Sequence, residues 1–206
     1  CARLGIPVLP PDVNRSQVFF SVDTDENGIP GIRFGLASIK NVGEAAVVPL
    51  VEARVADGAF VDLEDFCRRA GVGVANRRVL ESIICVGGLD SFEFTGALLA
   101  NLDHLVSMMQ REAQLKTSGQ TTMFDLFGQS VPTPLGETHL TGGMELTPSE
   151  RAAGERELLG VALSAKTQLD LSRGAPPDTI LSPEQLESEN ERARVTVLGM
   201  VSGLRQ

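Results

Sequence analysis

The sequence predicts a mainly α chain built on two helix–glycine turn–helix units in tandem. A small β-hairpin precedes them, and a polar linker follows and leads to a strand. Three observations carry this prediction. An apolar-periodic run breaks at Lys40-Asn41-Val42-Gly43 and resumes. A second such run ends at Gly87-Gly88, 44 positions further on. The composition then turns polar and irregular at residue 117.

Residues 1–30 read as irregular and β-like. LGIPVLPPDVNRS holds three prolines and an Asx-turn signal, and DENG is a turn. A hairpin is expected at about Val18–Val22 and Gly31–Phe34. In the first helical unit, Leu36 and Ile39 precede the break. Ala45, Val48 and Glu52 follow at helical spacing, with Val47, Leu50 and Val51 on the apolar face. Gly43 between the runs can take positive φ and lets another backbone approach closely. The amides of Val42, Gly43, Glu44 and Ala45 would then open a helix with its positive end outward, a seat for an anionic oxygen. The same pattern also fits a plain αα-hairpin whose glycine only caps a helix. Pro49 falls inside the second helix, where an interior proline costs about 3 kcal/mol, so a kink or a shortened first turn is expected.

The joining segment places Asp62 as an N-cap before Leu63, Phe66 and Cys67. The second unit, 76–92, runs Val79, Leu80, Ile83 and Ile84 into Gly87-Gly88. Next, Leu98, Leu99, Leu102, Leu105, Val106 and Met109 predict one amphipathic helix over 96–116. Residues 117–148 have linker composition. A further helix begins near Thr147, with Pro148 at its first position and Glu150 in its first turn. Residues 172–194 are polar, with a short helix expected after Ser182-Pro183. Val195, Val197 and Gly199 then alternate as a strand.

The net charge is −9, with nine Lys/Arg against thirteen Asp/Glu over residues 1–95, which argues against strong, extended, sequence-independent grip on a polyanion by this chain alone. Arg68, Arg69, Arg77 and Arg78 form a local basic spot, read either as a solvated face or as phosphate ligands. Cys1, Cys67 and Cys85 have neither metal spacing nor a disulfide framework, and His104 and His139 are isolated. No metal site or cofactor is expected. No signal peptide and no apolar run near 18 residues is present, which predicts a cytoplasmic protein without membrane contact. The chain starts without Met and stops inside a strand-like run. It reads as a piece of something longer, monomeric as a fragment.

Gln120-Thr-Thr-Met123-Phe124 sets two large apolar side chains in the polar stretch. Either they fold back on residues 96–116 or they wait for a partner. As a linear motif, Gln120 would satisfy backbone groups at a pocket rim while Met123 and Phe124 fill the pocket.

LGIPVLPPDVNRS (4–16), FGLASIKNVGEAAV (34–47), NRRVLESIICVGGLDSF (76–92), SGQTTMF (118–124) and GERELLGVALS (154–164) occur in this order. In that joint order the chain resembles the C-terminal region of the alpha-subunit family of bacterial DNA polymerase III, across essentially all 206 residues. The resemblance implies the end of a fingers region with the β-hairpin (1–30), a tandem helix-hairpin-helix domain (31–95) and an amphipathic helix (96–116). It further implies a clamp-binding linker (117–148), a helical connector (149–194) and the first strand of an OB-fold (195–206). It implies duplex DNA at Lys40, Asn41, Val42, Gly43, Glu44, Ala45, Arg77, Arg78, Gly87 and Gly88, and a sliding clamp at Gln120, Met123 and Phe124. Other replisome subunits are further implied partners. The parent would be a magnesium-dependent polymerase whose catalytic aspartates lie outside this region. Where the family has a Ser-Gly-His-Pro turn, this sequence has Ser164-Ala165-Lys166-Thr167, so any role of that histidine is lost or moved.

Two other functional classes stay open. One is a structural helical adaptor without DNA contact. The other is part of a DNA-repair enzyme, for which Asp90 is the only nearby catalytic candidate and no basic neighbour is visible in the sequence.

Overall fold

The structure, a computed structural model, describes residues 5–117, 140, 142–164, 179–180 and 196–197. The chain divides into two compact units, 1–164 and 165–206.

The first unit opens with a three-stranded sheet of order β1-β3-β2, formed by β1 (Val8–Leu9), β2 (Ser21–Thr24) and β3 (Pro30–Arg33). β2 and β3 are antiparallel, with Val22 opposite Ile32. β1 runs parallel to β3, with Val8 also opposite Ile32. The expected hairpin is therefore present, but its first strand starts three residues late. The carbonyls of Gln17 and Val18 accept the amides of Leu36 and Ala37, and so are engaged away from the sheet. Asp23, at the end of β2, lies between Arg15 (2.8 Å) and Arg33 (2.9 Å). The Arg15 hydrogen bond, with the Thr24 amide and Arg33 behind it, outweighs desolvation and holds this carboxyl down at about 2.

The proline-rich segment before β2 is a buckle. Asp12 accepts from the Asn14 amide (2.6 Å), closing the Asx turn. Asn14 then pairs with the Phe60 backbone in both directions, at 2.9 and 2.8 Å. Ser16, fully buried, donates to the Phe34 carbonyl. The buried Arg54 donates to the Val13 carbonyl (2.7 Å), and burial lowers its pKa against the opposing pull of Asp12. One short segment thus ties itself to the helix that carries Arg54 and to the loop after it, 41 and 46 residues away.

Six helices follow among the described residues: α1 (Glu44–Asp57, after a 3-10 turn at Leu36–Ser38), α2 (Leu63–Arg69), α3 (Arg77–Cys85), α4 (Thr95–Ala100), α5 (Leu102–Thr117) and α6 (Pro148–Leu159). α1 runs unbroken with Pro49 inside it, so the expected shortening does not occur. The helix expected over 96–116 is two helices, broken at Asn101, whose amide is shared between the Ala97 and Leu98 carbonyls. Asp62 caps α2 by accepting from the Asp65 amide, as its position predicts. α6 begins with a full capping box between Thr147 and Glu150, has Pro148 in its first turn, and ends at Gly160 in the left-handed region.

Leu36, Leu50, Phe66, Leu80, Ile83, Leu98 and Leu105 form one aliphatic core with a Phe centre. Cys67 belongs to it, and burial pushes its thiol up to about 12, so it is a packed side chain rather than a nucleophile. In the second unit, β4 (Thr179–Ile180) pairs in parallel with β5 (Thr196–Val197), within the run expected to be a strand. The helix expected after Pro183 lies outside the described residues. No helix among the described residues is long and apolar enough to cross a membrane.

Candidate nucleic-acid interface

The first turn joins the Leu36–Ser38 3-10 turn to α1. Its left-handed residue is Asn41 (φ 71°) rather than Gly43. Asparagine tolerates this conformation better than most residues. Here its side chain also donates to the hydroxyl of the buried Ser82 on α3, at 3.2 Å. Gly43 is instead the extended N-cap of α1 (φ −88°, ψ 157°).

The main-chain donors of this turn divide into two groups. Lys40 donates to the Leu158 carbonyl (2.9 Å), Val42 to Ile39 (3.0 Å), and Ala46 and Val47 to Gly43. The amides of Gly43, Glu44 and Ala45 find no acceptor among the described residues, and no side chain caps the helix. All three residues are exposed, and no atom lies within 4 Å of the point where a Cβ on Gly43 would stand. Three successive N–H groups at the positive end of a 14-residue helix, all on exposed residues, are therefore without a partner among the described residues. The expected seat spanned Val42 to Ala45. The structure narrows its open donors to the last three of those residues.

The second turn is built differently. Gly87, left-handed at φ 77°, donates to the Ile84 carbonyl, and Gly88 donates to Ile83, the paired bonds of a Schellman helix end. The Gly88 carbonyl accepts from Val13 (3.0 Å). A Cβ on Gly88 would meet Ile83 Cγ2 at 2.7 Å, so close packing of the chain on itself requires this glycine. Beyond the turn, the Met144 backbone presses against Gly96 in α4. Asp90 does have a basic partner: it is paired with Arg151, 61 positions later, and it accepts from the Thr95 hydroxyl at 2.9 Å. That pairing gives it a structural role.

The arginine spot separates in the same way. Arg69 is bound to Asp65 (2.6 Å) and to the carbonyls of Ala53 and Gly58, and lies over the Phe60 ring at 4.7 Å. Arg68 also holds Asp65, at 2.7 Å. Burial opposes ionisation of Asp65, but the Val61 amide, Arg69 and Arg68 outweigh it and keep the carboxyl below its usual range. Arg77 pairs with Asp103 on α5. Arg78 is exposed and makes no side-chain ion pair among the described residues. Lys40 Nζ lies 3.6 Å from Glu157 on α6, with both groups more than half exposed.

Gln120, Met123 and Phe124 lie outside the described residues. Among the described residues, no three His, Cys, Asp or Glu side chains are placed to hold a metal ion. Sequence reasoning missed Ser82, Leu158 and Arg151, the supports of the two turns. A serine within the apolar periodicity of α3 was the one visible signal.

A family model described as "Helix-hairpin-helix motif" matches residues 5–97, the region that contains both turns. The chain is 36% identical over 165 residues to the DNA polymerase III subunit alpha of Vibrio cholerae, covering 80% of this chain and 14% of that protein. The subunit of Thermus aquaticus is 38% identical over 161 residues, 78% of this chain and 12% of that protein. That of Neisseria meningitidis serogroup A is 32% identical over all 206 residues and 17% of its own length. The chain thus spans only 12–17% of the length of these three relatives.

Proposed function

Because the chain belongs to the DNA polymerase III alpha-subunit family and carries a helix-hairpin-helix region, we propose that it holds duplex DNA for a replicative polymerase. The first turn makes the contact. The observation that carries this reading is the row of amides at Gly43, Glu44 and Ala45, without a partner among the described residues, on a chain of net charge −9. Main-chain donors bind phosphate oxygens without reading sequence, and phosphate contacts position a protein on a duplex. Arg78 adds a cation, while Gly87 and Gly88 act as supports. The rival adaptor reading, in which glycine turns are only helix caps, describes the second turn but not the first. The repair-enzyme reading loses its candidate base, since Asp90 is held by Arg151 and Thr95.

Titration of the chain with duplex DNA at rising salt tests this. With one or two phosphates engaged, log K should fall against log salt with a slope of about −1 to −2. Absence of binding at low salt contradicts the reading, and so does a slope several times steeper.

The second proposed role is tethering to a sliding clamp through Gln120, Met123 and Phe124, which supports processive synthesis by the magnesium-dependent parent enzyme in the cytoplasm. Burying each apolar side chain contributes about 1.5–3 kcal/mol. The double substitution Met123→Ala/Phe124→Ala should weaken binding to a bacterial sliding clamp by at least about a hundredfold. Equal affinity removes the motif from the account. The strand at Thr196–Val197, which pairs with the earlier strand Thr179–Ile180, is read as part of an OB-fold.

A further inference from the structure

Helix α6 touches both turns. At its first turn, Arg151 pairs with Asp90, just past Gly88. A Cβ on Gly87 would collide with the Arg151 guanidinium and stand 2.7 Å from Asp90 Oδ2, so the bare left-handed glycine leaves the space in which this ion pair forms. Arg151 also lies 3.9 Å from Glu155, a 2% exposed residue whose other oxygen accepts from the amide and hydroxyl of Ser164. At the far end, the Leu158 carbonyl is one of the four that a helix terminus leaves without a partner, and it accepts from Lys40 in the first turn. Glu157 beside it faces the Lys40 ammonium. Arg151 and Leu158 lie two helical turns apart on one helix, so a rigid rod of about 10 Å connects one turn to the other.

We propose that Arg151 is a positioning residue for DNA binding. Locked at the second turn, it seats α6 so that Leu158 and Glu157 hold Lys40, and with it the backbone that presents the amides of Gly43, Glu44 and Ala45. The second turn then serves the first as an anchor. This inference rests on the DNA-holding reading for its functional consequence, but its structural half can be measured without DNA.

The test compares Arg151→Ala and Asp90→Asn with the wild-type chain. Without DNA, amide exchange at Lys40 should quicken about tenfold or more in both variants, because the Leu158 acceptor is no longer held in place. Unchanged Lys40 exchange overturns the proposal whatever the DNA result. Against a duplex, both variants should bind about three- to tenfold more weakly, within the range seen for residues that act at a distance from a ligand. The salt slope should stay at the wild-type value, since no phosphate contact is removed. If Arg151 touched phosphate itself, Arg151→Ala would flatten the slope and Asp90→Asn, by freeing the guanidinium, would tighten binding. Either result overturns positioning. The double variant should be no weaker than the worse single variant, because the two changes break one link. If the wild-type chain binds but both variants bind equally well, only this inference fails. If the wild-type chain does not bind at all, the DNA reading fails as well.

Discussion

Replacing Phe66 by alanine should destabilise the first unit by about 3–5 kcal/mol, read as a fall in the urea midpoint at unchanged slope. Phe66 is fully buried on α2, edge-on to Phe60 at 5.4 Å and 6.1 Å from Phe92. Removing the ring leaves a cavity between Phe60 and Phe92, whose own positions are fixed by the contacts they make elsewhere in the core. The location compounds the loss. Phe60 is the residue whose backbone pairs with Asn14 and whose ring carries Arg69, while Phe92 follows the second turn. A cavity at Phe66 therefore loosens the N-terminal buckle, the α2 arginines and the approach to the second turn together. A loss below about 1 kcal/mol would mean the site collapses freely, and the description of this core as tightly packed would be wrong.

The helical half of this architecture is legible in the sequence because its signals are local. Asp62 and Thr147 each act on an amide three residues away, which is within reach of pattern reasoning. The left-handed residue at the first turn is less legible, because it is Asn41 rather than the nearby glycine. Glycine is the default choice for positive φ, whereas Asn41 takes that conformation because Ser82, 41 positions away, holds its side chain. Long-range pairs stayed hidden. Nothing near Asp90 announces Arg151, and nothing near Asn14 announces the Phe60 backbone. The parallel strand β1 was also missed, since two residues beside prolines carry no periodicity. In the candidate interface, the sequence located the amides but could not say which were already satisfied. That depends on Ile39, Leu158, Ile83 and Ile84 as acceptors, and so on the folded chain.

The division between open and satisfied amides is what the DNA reading depends on, and proline offers a way to remove one open amide alone. Glu44 is the first residue of α1, the position at which proline is best tolerated, and Gly43 before it already has the extended conformation a following proline demands. Glu44→Pro deletes the N–H of residue 44 and leaves the helix in place. Glu44→Ala keeps that N–H and removes the same negative charge, so the pair isolates a single main-chain donor. Both variants should unfold at close to the wild-type midpoint. A hydrogen bond to a charged group contributes about 1.5–3 kcal/mol, so Glu44→Pro should bind duplex DNA about ten- to a hundredfold more weakly than Glu44→Ala. Glu44→Ala should bind at least as well as the wild-type chain, having lost a carboxylate beside a phosphate. Equal affinity of the two variants, with both folded, would show that the amide at position 44 carries none of the grip and would contradict the account.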